Sequence, residues 1–396
     1  MRILFIAAQA IRSNSSVTMM NLAFINGLIE LGHEVEVITA KLPNEHVAID
    51  TGFKVPIGIK LDEYPLSNTF NILSSKQKKR ELRYTVVSAI KGLIRKSFYK
   101  YSIYDSQKSW IKNVENIKSN KEVYDLVISS SDPKHSHLFA EKLLKSKKVS
   151  CGKWLQLWGD PMYLDITRQD VIFRRRLHKE EERLISKANN VIYVSPFTAT
   201  EQRKIFPKYA EKIDYVLIPY FKKDESLPNQ THGENLVFGY YGDYNTEIRN
   251  LKPLYDAAVE SKLRLLIRGN SDKPFKSKAL IDVKSRVAID ELEEVEKKTD
   301  VFIHLCNSKG TQIPAKVYYY SGTKKPILFI LDGETEKIKI FFEKFDRYFF
   351  CENKKEDIQN AINRIRFSEY GSNVTRIVEE LSPAAIAADL LKKIRV

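Results

Sequence analysis

Two unbroken apolar runs constrain this chain more than any other feature. Ile3-Leu4-Phe5-Ile6-Ala7-Ala8 opens it, and Leu236–Tyr241 repeats the device roughly 235 residues later. An apolar run without alternation is what a parallel strand covered on both faces requires. After the first run, Gln9–Ser16 reads as a polar loop. Val17–Leu31 then carries apolar residues at helical spacing (Met20, Ala23, Phe24, Leu28, Leu31). Gly32-His33 stands at the helix-stop position, and Val35–Thr39 reads as the next strand. After the second run the order repeats, with a loop at Gly242–Asn245, a helix at Leu251–Ser261 and a strand at Leu263–Ile267. Each is a β-α-β unit of the doubly wound type.

Strand and helix go on alternating through both halves. Strands are expected at Asp125–Ser129, Lys153–Leu157, Val191–Ser195, Val301–Leu305 and Pro326–Leu331. Helices are expected at His135–Lys145, Val171–Lys187, from about Pro314, at Lys355–Arg366 and at Pro383–Ile394. Lys222–Gln230, with Pro228, reads as an interdomain linker. A length of 396 residues also favours two cores over one. The expected architecture is α/β, with two Rossmann-like domains facing a cleft. Residues 1–221 form the first and 235–380 the second. A terminal helix at 381–396 packs back toward the first domain. Ligands of open α/β sheets bind outside the strand C-termini, hence in that cleft.

Composition narrows the function classes. Hydrophobic residues make up 43% of the chain, enough for sizeable cores, which excludes disorder as the main state. The cysteines (Cys151, Cys306, Cys351) are odd in number and form no CxxC pair, which argues against a disulfide scaffold or zinc ribbon and suits a reducing cytoplasm. No HExxH pattern marks a zincin. The Ile3–Ala8 run is too short for a signal peptide, and no apolar run is long enough to span a membrane. The net charge of +15 calls for an anionic partner: membrane surface, nucleic acid or phosphorylated substrate. Residues 75–112 concentrate that charge, with eleven basic residues against Glu81 and Asp105. Leu82, Val86, Val87, Ile90, Leu93, Ile94, Phe98 and Tyr101 interleave with them. That pattern fits either a solvated charged face or an amphipathic segment lying on an anionic membrane. No nucleic-acid-binding signature is present, so nucleic acid is not expected as a partner.

Several segments could carry chemistry. In Gly310-Thr311-Gln312-Ile313-Pro314-Ala315-Lys316, the proline suits a first helical turn, and the free amides there suit a phosphate. Lys316 would add a point charge for a diphosphate; the alternative is a capped helix with a surface lysine. Arg268-Gly269 closes a strand, and its guanidinium fits either a diphosphate or a surface ion pair. Trp158-Gly159-Asp160-Pro161 also closes a strand. Asp160 there would hold or deprotonate an acceptor hydroxyl, or simply form an Asx-Pro turn. Ser13, Asn14 and Ser15 would meet phosphate or acceptor, or cap the following helix. His135 would touch substrate or lie solvated in a first turn. No Asp-x-Asp motif for a divalent cation is evident, so no metal and no cofactor are expected.

Gln312-Ile313-Pro314-Ala315-Lys316-Val317-Tyr318, followed by Tyr320 and Gly322-Thr323-Lys324-Lys325-Pro326-Ile327-Leu328, resembles the donor-binding segment of GT-B glycosyltransferases of the family 4 type. The opening Met1–Ile6 with Leu31-Gly32-His33-Glu34-Val35, then Asp125–Ser131 and Trp154–Pro161, are similar to that family in the same order. The resemblance implies metal-independent transfer of a sugar, with retention, from a UDP- or GDP-linked donor to a hydroxyl. A surface glycan or lipid-linked acceptor, and a cytoplasmic enzyme at the inner membrane face, go with it. It places donor contacts at Gly242, Asn245, Arg249, Arg268, Gly269, Thr311, Gln312, Ile313, Pro314, Ala315, Lys316 and Tyr319. Lys316 and Asp160 are the catalytic candidates. The family's paired glutamates are replaced here by Thr311 and Tyr319, and a tyrosine is a donor and a weaker acceptor rather than a carboxylate. Two alternatives follow: a UDP-sugar 2-epimerase on the same fold, and a non-catalytic subunit that binds a glycan or a partner.

Overall fold

The computed structural model describes every residue except 44, 45, 47, 67–99, 119–121, 170, 231, 368–371 and 395–396. The chain divides into two compact units. One comprises Met1–Leu217 together with Ile386–Val396, and the other Ile218–Ala385.

The first unit is built on seven parallel strands: β1 (Arg2–Ala7), β2 (Glu34–Lys41), β3 (Lys60–Pro65), β4 (Glu122–Ser131), β5 (Val149–Trp158), β6 (Asn190–Tyr193) and β7 (Ile213–Tyr215). Their order is β3-β2-β1-β4-β5-β6-β7. Helices α1 (Ser16–Glu30), α2 (His135–Lys145), α3 (Arg174–Lys187) and α4 (Pro196–Ile205) connect them. Ile3–Ile6 are essentially inaccessible, as the unbroken run requires of a central strand. Ser15 caps α1 by accepting from Thr18 N at 3.1 Å, and Gly32 at φ 79° lets the chain leave that helix. The strand expected to reach Ser195 stops at Tyr193, because Ser195 is the cap of α4 and accepts from Thr198 N at 3.3 Å.

The second unit repeats the plan with six parallel strands: β8 (Val237–Tyr241), β9 (Arg264–Arg268), β10 (Ile281–Lys284), β11 (Val301–Leu305), β12 (Ile327–Leu331) and β13 (Tyr348–Glu352). Their order is β10-β9-β8-β11-β12-β13. Its helices are α5 (Lys252–Glu260), α6 (Ile289–Lys297), α7 (Lys316–Ser321), α8 (Thr335–Glu343) and α9 (Lys355–Phe367), and α10 (Pro383–Lys392), most of which belongs to the first unit, follows them. Residues 222–230 run along this unit: Asp224 N donates to Gly322 O at 2.8 Å and Gln230 N to Asp300 Oδ1 at 3.0 Å. Buried Arg347 ties the loops before β12 and after α9 by donating to the carbonyls of Thr323 (3.0 Å), Lys325 (2.6 Å) and Val374. The C-terminal helix returns to the first unit: Asn190 Nδ2 donates to Lys393 O at 3.1 Å, and Lys393 Nζ stands 3.5 Å from Asp214.

Residues 75–99 of the basic stretch lie outside the described residues. In the described remainder, Tyr104 and Trp110 are buried in the first unit's core. Trp110 stacks on Phe139 at 4.2 Å and donates to Tyr64 O at 3.1 Å, while Tyr101 stays 56% exposed.

Candidate functional site

In a doubly wound sheet the strand order reverses between two neighbours, and the loops diverge there to leave room for a ligand. In the second unit those neighbours are β8 and β11, and Arg249 bridges their loops. Its Nε and Nη2 donate to Asn307 Oδ1 at 3.1 and 2.8 Å, and its Nη1 donates to Asp243 O at 2.9 Å. Asn307 passes the link on, since its Nδ2 donates to Gln312 O at 3.0 Å. Asn245 shapes the turn before Arg249 by accepting from Glu247 N and Ile248 N at 3.1 and 2.7 Å. Gly269 is pressed against the β8 loop so closely that an added Cβ would fall 2.0 Å from Gly242 O. Glycine at 269 is therefore a packing requirement.

Two more arginines reach this edge. Arg268, 6% exposed, has its Nη2 on Asp282 Oδ2 at 2.6 Å and its Nη1 on the carbonyls of Ile267 and Asp282 at 2.9 and 3.2 Å. Its guanidinium thus holds β10 to β9. Arg286, two residues past β10, is 40% exposed and donates to Asp243 Oδ2 at 2.6 Å. The other oxygen of Asp243 accepts Asn270 N at 2.9 Å. Sequence reasoning missed Arg286 because β10, an edge strand of four residues, is too short for its alternation to stand out. It also missed Asn307, although a polar residue just past the β11 run was a usable signal.

The segment 310–316 differs from its expected shape. The helix starts at Lys316 and not at Pro314, and it is six residues long. No side chain caps it, so its end contributes little, and the side chains must carry any charge recognition. Lys316 Nζ stands 4.0 Å from Glu296 Oε1, and 5.9 and 5.6 Å from the ring centroids of Tyr319 and Tyr320. Burial pulls the Lys316 pKa down, partly offset by Glu296; Arg286 adds to the lowering. Tyr319 and Ile313 are buried, while Thr311, Gln312, Pro314 and Ala315 are half-buried. Burial pushes the Tyr319 hydroxyl far up, so it remains a neutral phenol.

The matching edge of the first unit lies between β1 and β4. Ser13 is buried, with its hydroxyl on Ala10 O at 2.8 Å and Thr18 Oγ1 at 2.8 Å. Asn14 Nδ2 donates to Asp50 Oδ2 at 2.9 Å, and Ser15 is the cap of α1. His135 is buried in the first turn of α2 rather than solvated, and its Nδ1 lies 3.2 Å from Asp105 Oδ2. Asp160 follows β5 and is half-buried. Beside these stands Lys134, 7% exposed and bonded to Asp132. Burial works against its ammonium, but Asp132, Asp165 and Asp160 outweigh burial and raise its pKa. Below this cluster, buried Glu181 accepts Met162 N and Tyr163 N at 3.1 and 2.8 Å and fixes the loop that carries Asp160. Burial pushes its pKa up to about 7.

Two grooves of the first unit, about 560 and 610 Å³, lie elsewhere. One is at the start of β5 (Lys145, Lys147, Cys151, Trp154, Lys187), and the other is along Lys108, Lys112 and Lys142. Among the described residues no group of three or more His, Cys, Asp or Glu is placed to hold a metal ion, and no helix is long and apolar enough to cross a membrane.

No protein-family model matches the sequence, and no curated protein matches it. Solved structures do match. A variant of S. aureus TarM, in complex with fondaparinux, alpha-GlcNAc-glycerol and UDP, aligns over 100% of both chains with a TM-score of 0.60 at 10% identity. Anabaena HepE in complex with UDP-glucose aligns with a TM-score of 0.56 at 11% identity, covering 100% of this chain and 98% of HepE. Arabidopsis thaliana UGT89C1 complexed with UDP-L-rhamnose gives 0.54 at 10% identity, over 100% and 99% of the two chains. Identities this low make the likeness one of architecture. With two parallel sheets that reverse order at their fourth strand, this chain has the fold of the GT-B glycosyltransferases.

Proposed function

We propose that the chain transfers a sugar from a nucleotide-sugar donor, UDP- or GDP-linked, to a hydroxyl of a surface-glycan or lipid-linked acceptor. In this reaction the bond from the anomeric carbon to the phosphate oxygen breaks and the acceptor oxygen replaces it. The nucleoside diphosphate leaves with the bonding pair, and the acceptor hydroxyl gives up its proton. Negative charge grows on the leaving diphosphate, and positive charge placed in advance lowers that barrier. The observation that carries the reading is the placement of Arg249, Arg286 and Lys316 in the segments that follow β8, β10 and β11 of the second sheet, with Arg249 and Arg286 sharing Asp243 and Lys316 opening α7. Lys316 meets the diphosphate directly, with Gly242, Asn245, Gly269 and residues Thr311–Ala315 shaping the donor loops. Arg249 and Arg268 hold those loops in register, and Tyr319 lines the site as a neutral ring. On the acceptor side Asp160 takes the hydroxyl proton, and His135, Ser13, Asn14 and Ser15 order the neighbouring loops. The route is metal-independent in this reading, with lysine and arginine supplying the charge, and retention follows the family resemblance. Residues 75–112 dock the enzyme on an anionic membrane at the cytoplasmic face.

A thermal-shift panel of UDP- and GDP-sugars tests the reading, because a ligand that binds the native state raises its melting temperature. The expected result is stabilisation by one nucleotide series, with Lys316→Ala weakening it about 10- to 100-fold, the worth of a charged hydrogen bond. No stabilisation by any nucleotide favours the non-catalytic reading, which the buried Tyr319 in place of a carboxylate motivates. Turnover of UDP-sugar without an acceptor favours the epimerase.

A further inference from the structure

Lys316 and Glu296 differ from the arginine contacts at this edge. Arg249, Arg268 and Arg286 each donate to a protein acceptor at hydrogen-bond distance. Lys316 Nζ stands 4.0 Å from Glu296 Oε1, attracted but not hydrogen-bonded. Among the described residues, neither head group makes a hydrogen bond to another protein group. The ammonium therefore keeps its N–H donors and the carboxylate its lone pairs, although their side chains are only 20% and 29% exposed.

The pair is also held in place. Buried Lys325 donates from Nζ to Glu296 O at 2.6 Å and to Lys297 O at 3.3 Å. That fixes the end of α6 against the chain following α7. The ring faces of Tyr319 and Tyr320 lie beside Lys316. A ligand that satisfies both head groups must accept hydrogen bonds at one point and donate them a few ångströms away. A phosphate next to a hydroxylated ring does both. Residues 310–325 contain no aspartate or glutamate, so a carboxylate acceptor beside Lys316 must come from another element.

We propose that Glu296, reaching in from α6, accepts hydrogen bonds from ring hydroxyls of the sugar nucleotide while Lys316 beside it holds the phosphate. This rests on Lys316 being a donor contact. The hydroxyls belong to the ribose or to the transferred sugar, and the arms of the test separate the two.

The test is calorimetric titration of the full chain with UDP, UDP-glucose and 2′,3′-dideoxyuridine diphosphate, and in parallel with GDP, GDP-mannose and the dideoxy guanosine analogue. The expected result is that Glu296→Gln weakens a hydroxyl-bearing ligand about 10-fold while binding the dideoxy nucleotide as the parent does. Weakening already seen with the plain diphosphate assigns the ribose; weakening confined to the sugar conjugate assigns the transferred sugar. Glu296→Asp, which keeps the charge, should recover part of the loss and replaces the Gln variant if that one does not fold. Equal loss for the dideoxy nucleotide would mean a structural role and overturns the proposal. So does parent-like binding of all ligands by Glu296→Gln when Lys316→Ala binds weakly. Parent-like binding by Lys316→Ala instead overturns the donor reading itself.

Discussion

The strands flanking the reversal in the first unit, β1 and β4, lead into hydroxyl side chains and a buried lysine set among aspartates. Ala8 N donates to Ser136 Oγ at 2.9 Å and Ser130 Oγ to Asn21 Oδ1 at 2.6 Å, so the edge is tied together by short neutral bonds. In the second unit, β8 and β11 lead into Gly242 and Asn307, and the loops around them carry Arg249, Arg286 and Lys316. The two sheets share one strand order through six strands but not one chemistry. The fold supplies the place for a ligand; the residues at each edge decide what that ligand can be.

The largest effect expected is in the first unit. Glu181 holds its proton to about pH 7 when folded and to about 4.5 when unfolded. Between those values the folded state binds more protons, so stability falls as pH rises, by up to about 3 kcal/mol, and is flat above that window. Denaturant unfolding of the parent and Glu181→Gln from pH 4.5 to pH 7 checks this: the variant should lack the slope, and nucleotide affinity should not change at constant pH. Next, Arg249→Met removes the bridge between the β8 and β11 loops and should lower nucleotide affinity about 30-fold, roughly 2 kcal/mol. Parent-like titration curves for that variant would erase the contrast between the two edges. Asp132→Asn is expected to raise the KM for acceptor about 10-fold, a charged hydrogen bond's worth, with donor affinity unchanged. A change in donor affinity would mean that the first edge also handles the nucleotide. Smallest is Ser15→Ala, a lost helix cap costing about 1 kcal/mol in thermal unfolding and nothing in nucleotide binding.

How much of this was legible beforehand depended on burial. Strands covered on both faces, such as β1 and β11, announce themselves as apolar runs, and α2 was expected at its observed bounds, His135–Lys145. Elements with little buried surface did not show. The edge strand β3, Lys-Leu-Asp-Glu-Tyr-Pro, buries none of its residues fully and reads as loop. Helix α6, Ile-Asp-Glu-Leu-Glu-Glu-Val-Glu-Lys, fully buries one residue, Ile289, and its apolar stripe is only three residues (Ile289, Leu292, Val295) set among acidic ones. That single miss hid both Arg286, in the loop that enters α6, and Glu296, near its end. The candidate residues themselves were legible as types but not as partners. Lys316 was visible as a cation, whereas its neighbour Glu296 is 20 positions earlier in the chain. Arg268 looked the same from sequence whether aimed at a diphosphate or bound to Asp282, because that pairing exists only once β9 and β10 are side by side.

The return of residues 386–394 to the first unit has a consequence for synthesis. That unit is discontinuous along the chain, and Asn190 and Asp214 wait for Lys393 until more than 160 intervening residues, the whole of the second unit, have been made. During translation the first unit must therefore persist in an unfinished state until residues 386–394 have been made, and Lys393, just past α10, acts as a latch on Asn190 and Asp214. Loss of residues 386–394 should accordingly be felt by the earlier-made unit rather than by the unit next to them in sequence.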